Sequence, residues 1–232
     1  AALITGASRG IGFAVAEELA AEGYALTLTA RKPDGLAAAE EKLRAAGAEA
    51  VSLAADVRDE AALQAVVERH RSAYGRLDVL VNNAGVGIAA PAGEQVTKYV
   101  DMQLEVNVRT LVVMYRETLD LLKADGGAQV INLASIAGKS PQPLLSVYSA
   151  TKSAVLAYSE AMNKELSASG VWSTALCPGF VDTDMTEFAR EWISQEDMIR
   201  TSDIAAAVRF LLSLSSAARV PEIVIQRPGE DV

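Results

Sequence analysis

The chain has 232 residues, half of them apolar, with 30 acidic side chains against 21 basic ones and a net charge of -9. A polyanion would meet an unfavourable mean field, so nucleic acid is excluded as a partner, and no apolar run reaches the roughly 20 residues that span a bilayer. With His70 and Cys177 the only imidazole and thiol, no metal centre of nitrogen and sulfur ligands and no internal disulfide is expected, and the cytoplasm is the expected compartment.

The first apolar run, Ala1 to Thr5, reads as a buried strand, with no basic start or cleavage site that would mark an export signal. It leads straight into Thr5-Gly6-Ala7-Ser8-Arg9-Gly10-Ile11-Gly12 and a helical pattern from Ile11 to Glu22. Glycines let a backbone turn tightly and approach a pyrophosphate, and a helix start offers unpaired N-H groups and partial positive charge. Gly6, Ser8, Arg9, Gly10, Ile11 and Gly12 are therefore candidate dinucleotide contacts, although a tight strand-to-helix turn needs glycine even without a ligand. The second strand, Ala25 to Ala30, ends on Arg31 and Lys32, where an acidic residue would hold the adenosine ribose and repel a 2'-phosphate. Two cations there favour NADP (NADPH). NAD is the alternative if they are only solvated turn residues.

A helical pattern from Leu36 to Ala46 precedes a third strand, Glu49 to Ala54, and Asp56 then offers an N-cap for the helix Glu60 to Tyr74. On that helix His70 reads as a surface residue. The fourth strand, Val79 to Asn82, opens into Asn82-Asn83-Ala84-Gly85, and one long helix is expected from Thr97 to Lys123. The fifth strand, Gln129 to Leu133, stops just before Ser135, and Tyr148 and Lys152 lie on the helix Val147 to Ser169. A sixth strand, Trp172 to Leu176, runs past Cys177, a packed strand residue, into Pro178-Gly179. The stretch 180–201 has no clean period and reads as a short lid over the strand ends, with an ordinary packed helix as the alternative. Ser202 is a plausible N-cap for the helix that runs to Ser213, and Ile223 to Gln226 forms the last strand.

Strands such as Val79-Leu80-Val81 are apolar at consecutive positions, as in parallel sheets covered by helices on both faces. The fold expected is α/β: one Rossmann-type domain over residues 1–232, with a doubly wound parallel sheet of seven strands. Gly23, Gly47, Gly75, Gly126 and Gly170 follow the helices, where a left-handed residue costs little.

Tyr148 and Lys152 stand at i and i+4 and so share a helix face. Carbonyl reduction needs hydride at carbon and a proton at oxygen, and a phenol of reference pKa about 10 is a poor base until a nearby cation stabilises its anion. Ser135 is placed to hydrogen-bond the substrate oxygen, or to cap its own turn.

The spacing Gly-x3-Gly-x-Gly, the Asn82-Asn83-Ala84-Gly85 run, and Ser135 followed by Tyr148-x3-Lys152, in that order, resemble the short-chain dehydrogenase/reductase family across essentially the whole chain. The resemblance implies an NADP-dependent oxidoreductase that interconverts a carbonyl and an alcohol, with Asn107, Ser135, Tyr148 and Lys152 catalytic. It gives Lys152 the nicotinamide ribose hydroxyls and Asn107 a water that links the lysine to solvent. Arg9 is placed as in NADP-preferring members. Asp56 and Val57 resemble the adenine-contacting pair, while Asn83, Ala84 and Gly85 line the cofactor. Pro178, Gly179, Val181 and Thr183 resemble the nicotinamide-side loop, Thr183 being also a plausible helix cap.

The ending Val220 to Gly229 lacks the family's common Asp-Gly-Gly finish and resembles NADP-dependent 3-hydroxy acid and serine dehydrogenases more than 3-oxoacyl-carrier-protein reductases. The latter remain an alternative, as does an NADP-binding sensor without turnover. Ile88, Ile136, Leu144, Leu145, Phe180 and Met185 are candidate pocket residues for a small carbonyl substrate, and Lys139 is the candidate partner for a carboxylate. Apolar residues around much of the helices at 97–123 and 147–169 point to a homodimer or homotetramer.

Overall fold

The computed structural model describes residues 1–215 and 217–229. Seven parallel strands form one sheet in the order β3-β2-β1-β4-β5-β6-β7: β1 (Ala2–Thr5), β2 (Leu26–Ala30), β3 (Ala50–Ala54), β4 (Val79–Asn82), β5 (Gln129–Leu133), β6 (Trp172–Pro178) and β7 (Glu222–Ile225). Chain order reverses beside β1, whose Ala2 faces Leu26 on one side and Val79 on the other. Crossovers leave this point in opposite directions, so a crevice opens beyond the C-terminal ends of β1 and β4.

Side-chain alternation along the strands sorts the core into two layers. Ala2, Ile4, Leu26, Leu28, Val79 and Val81 pack against α1 (Gly10–Ala21), α2 (Pro33–Ala45) and α7 (Thr201–Ser213). Leu3, Leu80 and Val130 face the other way, against α3 (Glu60–Tyr74), α5 (Thr110–Lys123) and α6 (Ser146–Leu166). Leu3, Ile4, Leu26, Leu28, Leu80 and Ile131 are fully buried, each such side chain contributing about 1.5–3 kcal/mol of burial. These layers hold the strand ends, and the loops leaving them, in fixed positions. No helix among the described residues is long and apolar enough to cross a membrane.

Four local expectations are corrected. The helix expected from Thr97 to Lys123 is interrupted: α4 (Thr97–Leu104) ends in a π-helical turn, Glu105–Arg109, before α5 begins. The extra residue in that turn rotates the buried face of α5 by roughly 100° relative to α4. This is one reason the stretch reads as apolar around its circumference when a single period is drawn through it. Ser202 does not cap α7; Arg200 is the cap residue, and its N-H donates to the Asp203 carboxylate at 2.8 Å. Asp56 is not the cap of α3, because Asp59 takes the Ala61 and Ala62 N-H groups at 2.9 and 3.3 Å. His70 is fully buried rather than on the surface. Its Nδ1 lies 2.8 Å from the Thr27 hydroxyl and its Nε2 lies 2.9 Å from the Arg76 carbonyl oxygen.

Residues 180–201 form two 3-10 segments, Asp184–Glu191 and Gln195–Asp197, in place of an α-helix. A bridge between Val181 and Ile199 closes the segment on itself, and Ala189, Ile193 and Met198 pack with Phe180 as a small core of their own.

Candidate active site

The turn after β1 is held by the segment after β4. Thr5 Oγ1 accepts the Asn83 and Ala84 N-H groups, each at 3.0 Å, and the Asn83 side-chain amide donates to the Thr5 and Gly6 carbonyls at 2.9 and 3.1 Å. Gly12 lies so close beneath this clamp that a Cβ there would meet the Gly6 carbonyl oxygen at 2.4 Å. α1 then starts at Gly10 with no side-chain cap and no acid in its first turn, so its N-terminal N-H groups and positive dipole end are open to an anion. Ile11 packs into the core, and Ser8 lies beside the start of α2, 3.8 Å from where a Gly35 Cβ would be.

Arg31 and Lys32 are exposed at the end of β2. Asp56, after β3, receives Arg58 through its guanidinium and its backbone N-H, and these contacts pull the carboxyl down to about 2. Arg58, which sequence reasoning passed over, therefore brings a further cation to the loop after β3; its signal was its place two residues from Asp56. Val57 packs against the second core layer while its carbonyl accepts the Thr110 hydroxyl at 2.8 Å. Arg9 points elsewhere: its guanidinium pairs with Asp184 at the start of the 3-10 segment Asp184–Glu191. An ion pair between residues so far apart in the chain had no sequence signal.

Ser135, Tyr148 and Lys152 come together beyond β5. Ser135 Oγ caps the 3-10 turn Ile136–Gly138 by accepting the Ala137 N-H at 3.2 Å, the second of its two expected roles, and it stands near enough to Tyr148 to lower the phenol's pKa. The Tyr148 ring is partly buried against Gly87, where a Cβ would lie 3.2 Å from the ring. Gly87 is a second residue that the motifs did not point to. Lys152 is buried, with Nζ donating to the Leu133 carbonyl at 2.6 Å and lying 5.7 Å from the Tyr148 ring centroid. Burial lowers its pKa to about 8. Burial also raises that of Tyr148, against the lowering effect of Ser135.

Asn107 sits in the π-helical turn with its side chain fully engaged. Its Oδ1 accepts the Val86 N-H at 2.9 Å, and its Nδ2 donates to the Val86 carbonyl at 2.8 Å and the Thr151 hydroxyl at 2.9 Å. A Cβ on Gly85 would lie 3.5 Å from both Asn107 Oδ1 and Lys152 Nζ, so the backbone there passes between the two.

Beyond β6 the Gly179 N-H donates to Ile225 at 2.8 Å, and Val181 is buried. Thr183 caps the 3-10 segment Asp184–Glu191 in a reciprocal pair with Thr186, while its methyl lies 3.4 Å from where a Gly10 Cβ would be. The segment after β6 therefore rests on the glycine turn. Lys139 is not free for a substrate carboxylate, since it pairs with Glu222 at 2.6 Å. Cys177 is fully buried in β6, as expected.

Comparison with known proteins agrees with this fold. Residues 1–194 match the family model described as short chain dehydrogenase. The ketoacyl reductase HetN of Nostoc is 35% identical over 79% of this chain and 64% of its own. The structure of an alcohol dehydrogenase from the archaeon Thermococcus sibiricus, complexed with 5-hydroxy-NADP, superimposes with a TM-score of 0.91 at 31% identity, over 100% of this chain and 97% of that one. A variant of actinorhodin polyketide ketoreductase with NADPH gives 0.90 at 30% identity, over 97% and 94%. With its seven-stranded parallel sheet, clamped glycine turn and adjoining serine, tyrosine and lysine, the chain belongs to the short-chain dehydrogenase family.

Proposed function

We propose that this protein is an NADP-dependent oxidoreductase that interconverts a carbonyl compound and an alcohol, with Tyr148 as the general acid and base. The observation that carries the reading is the meeting of Ser135, Tyr148 and Lys152 at the strand ends, beside the clamped glycine turn. The groups present fit the cofactor. The uncapped start of α1 suits a pyrophosphate, and the exposed Arg31 and Lys32 suit a 2'-phosphate better than the bare ribose of NAD. Structures similar to this one hold 5-hydroxy-NADP and NADPH.

NADPH, when bound at these residues, would supply the hydride for the carbonyl carbon. Ser135 holds the carbonyl oxygen beside the phenol, and Tyr148 gives that oxygen its proton, so hydride and proton together convert C=O to CH-OH. The raised pKa of Tyr148 keeps its proton in place until the oxygen becomes basic, which suits reduction. Lys152, from its buried position beside the ring, is in our reading the group that engages the ribose hydroxyls and returns the proton. Asn107 fixes the Val86 backbone at the edge of the site. The segment 180–201 serves as lid, and residues 1–232 act as one catalytic unit.

The second reading narrows the substrate to a ketoacyl group, favoured by a relative named as a ketoacyl reductase and a structural neighbour named as a polyketide ketoreductase. Exposed Tyr99, Leu104 and Val112 around the π-helical turn support self-association; light scattering at micromolar concentration tests it, and a monomer contradicts it. The activity is tested by NADPH oxidation with a panel of ketones, aldehydes and an acetoacetyl thioester. Turnover abolished by Tyr148→Phe supports the reading. Tight NADPH binding with no turnover on any member supports a sensor instead.

A further inference from the structure

We infer that the cavity at the N-terminal end of β6 is a second binding site, one that takes a small carboxylate with a flat apolar body and is separate from the site of the proposed reaction. β6 begins at Trp172, but β7 joins it only where Ala175 faces Glu222. Ahead of that point the chain approaches β6 through single hydrogen bonds, the Val220 carbonyl accepting the Thr174 hydroxyl at 2.6 Å and the Pro221 carbonyl the Ala175 N-H at 3.0 Å. The strand edge left bare at Ser173 is covered by a side chain of α6: Asn163 Oδ1 accepts the Ser173 N-H at 2.6 Å, and its Nδ2 donates to the Ser173 carbonyl at 2.8 Å. An amide fills less space than a strand, and a cavity of about 350 Å³ remains between α6, α7 and the start of β6, within the size range of small-molecule sites. Ser135, Tyr148 and Lys152 stand at the opposite ends of the strands and do not line it.

The lining joins an apolar wall to one unmatched charge. Leu211, Leu214, Val220 and Pro221 stand beside the Trp172 indole. Over that ring lies the Arg219 guanidinium, 4.3 Å from the ring centroid. Lys164, which also lines the cavity, is neutralised by Glu160 at 2.5 Å. Arg219 donates to the Ala218 carbonyl at 3.2 Å and pairs with no carboxylate among the described residues. A guanidinium stacked on an aromatic face keeps its charge and offers N-H groups along its edge, in the fork that matches a carboxylate. Because the stacked side chain is already held, less of its freedom is lost when an anion binds. With a net charge of -9 the protein as a whole repels anions, so affinity here must come from the local pairing with Arg219 and from burial of a hydrocarbon body against the indole and its apolar neighbours.

Trp172 and Trp192 are the only tryptophans in the chain, so Trp192→Phe leaves Trp172 as the sole reporter in a fluorescence titration. In that background, with NADP present throughout to fill the coenzyme site, benzoate should quench Trp172 saturably with a Kd on the order of 1 mM, the scale for so small a ligand. Benzamide, its neutral counterpart, should bind about tenfold more weakly. Adding Arg219→Gln should weaken benzoate binding about tenfold, the scale of one charge-assisted contact, and leave benzamide binding and NADPH affinity at their former values. Quenching that stays linear in benzoate, as when a second copy of the chain covers the cavity, overturns the inference. Benzoate binding that survives Arg219→Gln, or that benzamide matches, overturns it as well.

Discussion

Acidification acts on this fold through one buried imidazole. His70 is the only histidine in the chain and has no solvent exposure. The Arg76 carbonyl can only accept, so Nε2 carries the proton, and Nδ1 is left to accept from the Thr27 hydroxyl. A second proton on the ring would be buried charge, and burial lowers the pKa from 6.5 to about 4. Because the folded value lies below the unfolded one, the stabilisation is complete above pH 6.5 and is lost as pH falls toward about 4. At pH 5 the linkage amounts to about 2 kcal/mol relative to neutral pH. Denaturant unfolding of the parent and of His70→Gln, which keeps a donor for Arg76, isolates it: between pH 7.5 and 5 the parent should lose about 2 kcal/mol more than the variant. The single imidazole resonance should titrate near 4. Equal losses in both proteins, or titration near 6.5, would refute the buried, neutral histidine.

The remaining expectations concern the site. Gly87→Ala places a methyl about 3.2 Å from the Tyr148 ring, and kcat should fall about tenfold or more with NADPH affinity kept; an unchanged kcat would show that the ring position is not critical. Arg31→Asp should weaken NADPH binding by roughly tenfold to several hundredfold and spare NADH, read by fluorescence titration, with an unchanged NADPH preference counting against a 2'-phosphate site at the end of β2. Lys152 is charged below about pH 8 in a buried position, and the cost of that burial is relieved only as pH rises from about 8 toward 10.5. Lys152→Met should therefore be inactive yet more stable at pH 7 by about 1–2 kcal/mol, after allowance for the lost bond to Leu133; a large drop in stability by denaturant unfolding would contradict the cost assigned to the buried ammonium.

What the sequence disclosed was local. The glycine turn, the Asn82 to Gly85 run and the spacing of Tyr148 and Lys152 are contiguous, and each stands beside the end of a strand, so reading one element places the next. The consecutive apolar residues of β4 and β5 likewise announced a sheet covered on both faces. What depended on packing was less legible. The burial of His70 had a signal that the residue's polarity obscured: Leu63, Val66, Val67 and His70 follow the 3.6-residue stripe of α3. The π-helical turn at Glu105–Arg109 has no proline or glycine to mark it. The pairing of Arg9 with Asp184 joins distant segments and redirects a cation expected at the 2'-phosphate. The upward shift at Tyr148 arises from burial, which only the assembled loops create.

The most direct measurement is single-turnover hydride transfer by the Tyr148→Phe variant, loaded with NADPH and mixed with a ketone that the parent reduces. NADPH should bind within a few-fold of the parent while the transfer rate falls about a hundredfold to ten-thousandfold, the range for a lost general acid. Transfer within tenfold of the parent would contradict the proton-donating role on which the proposed chemistry stands.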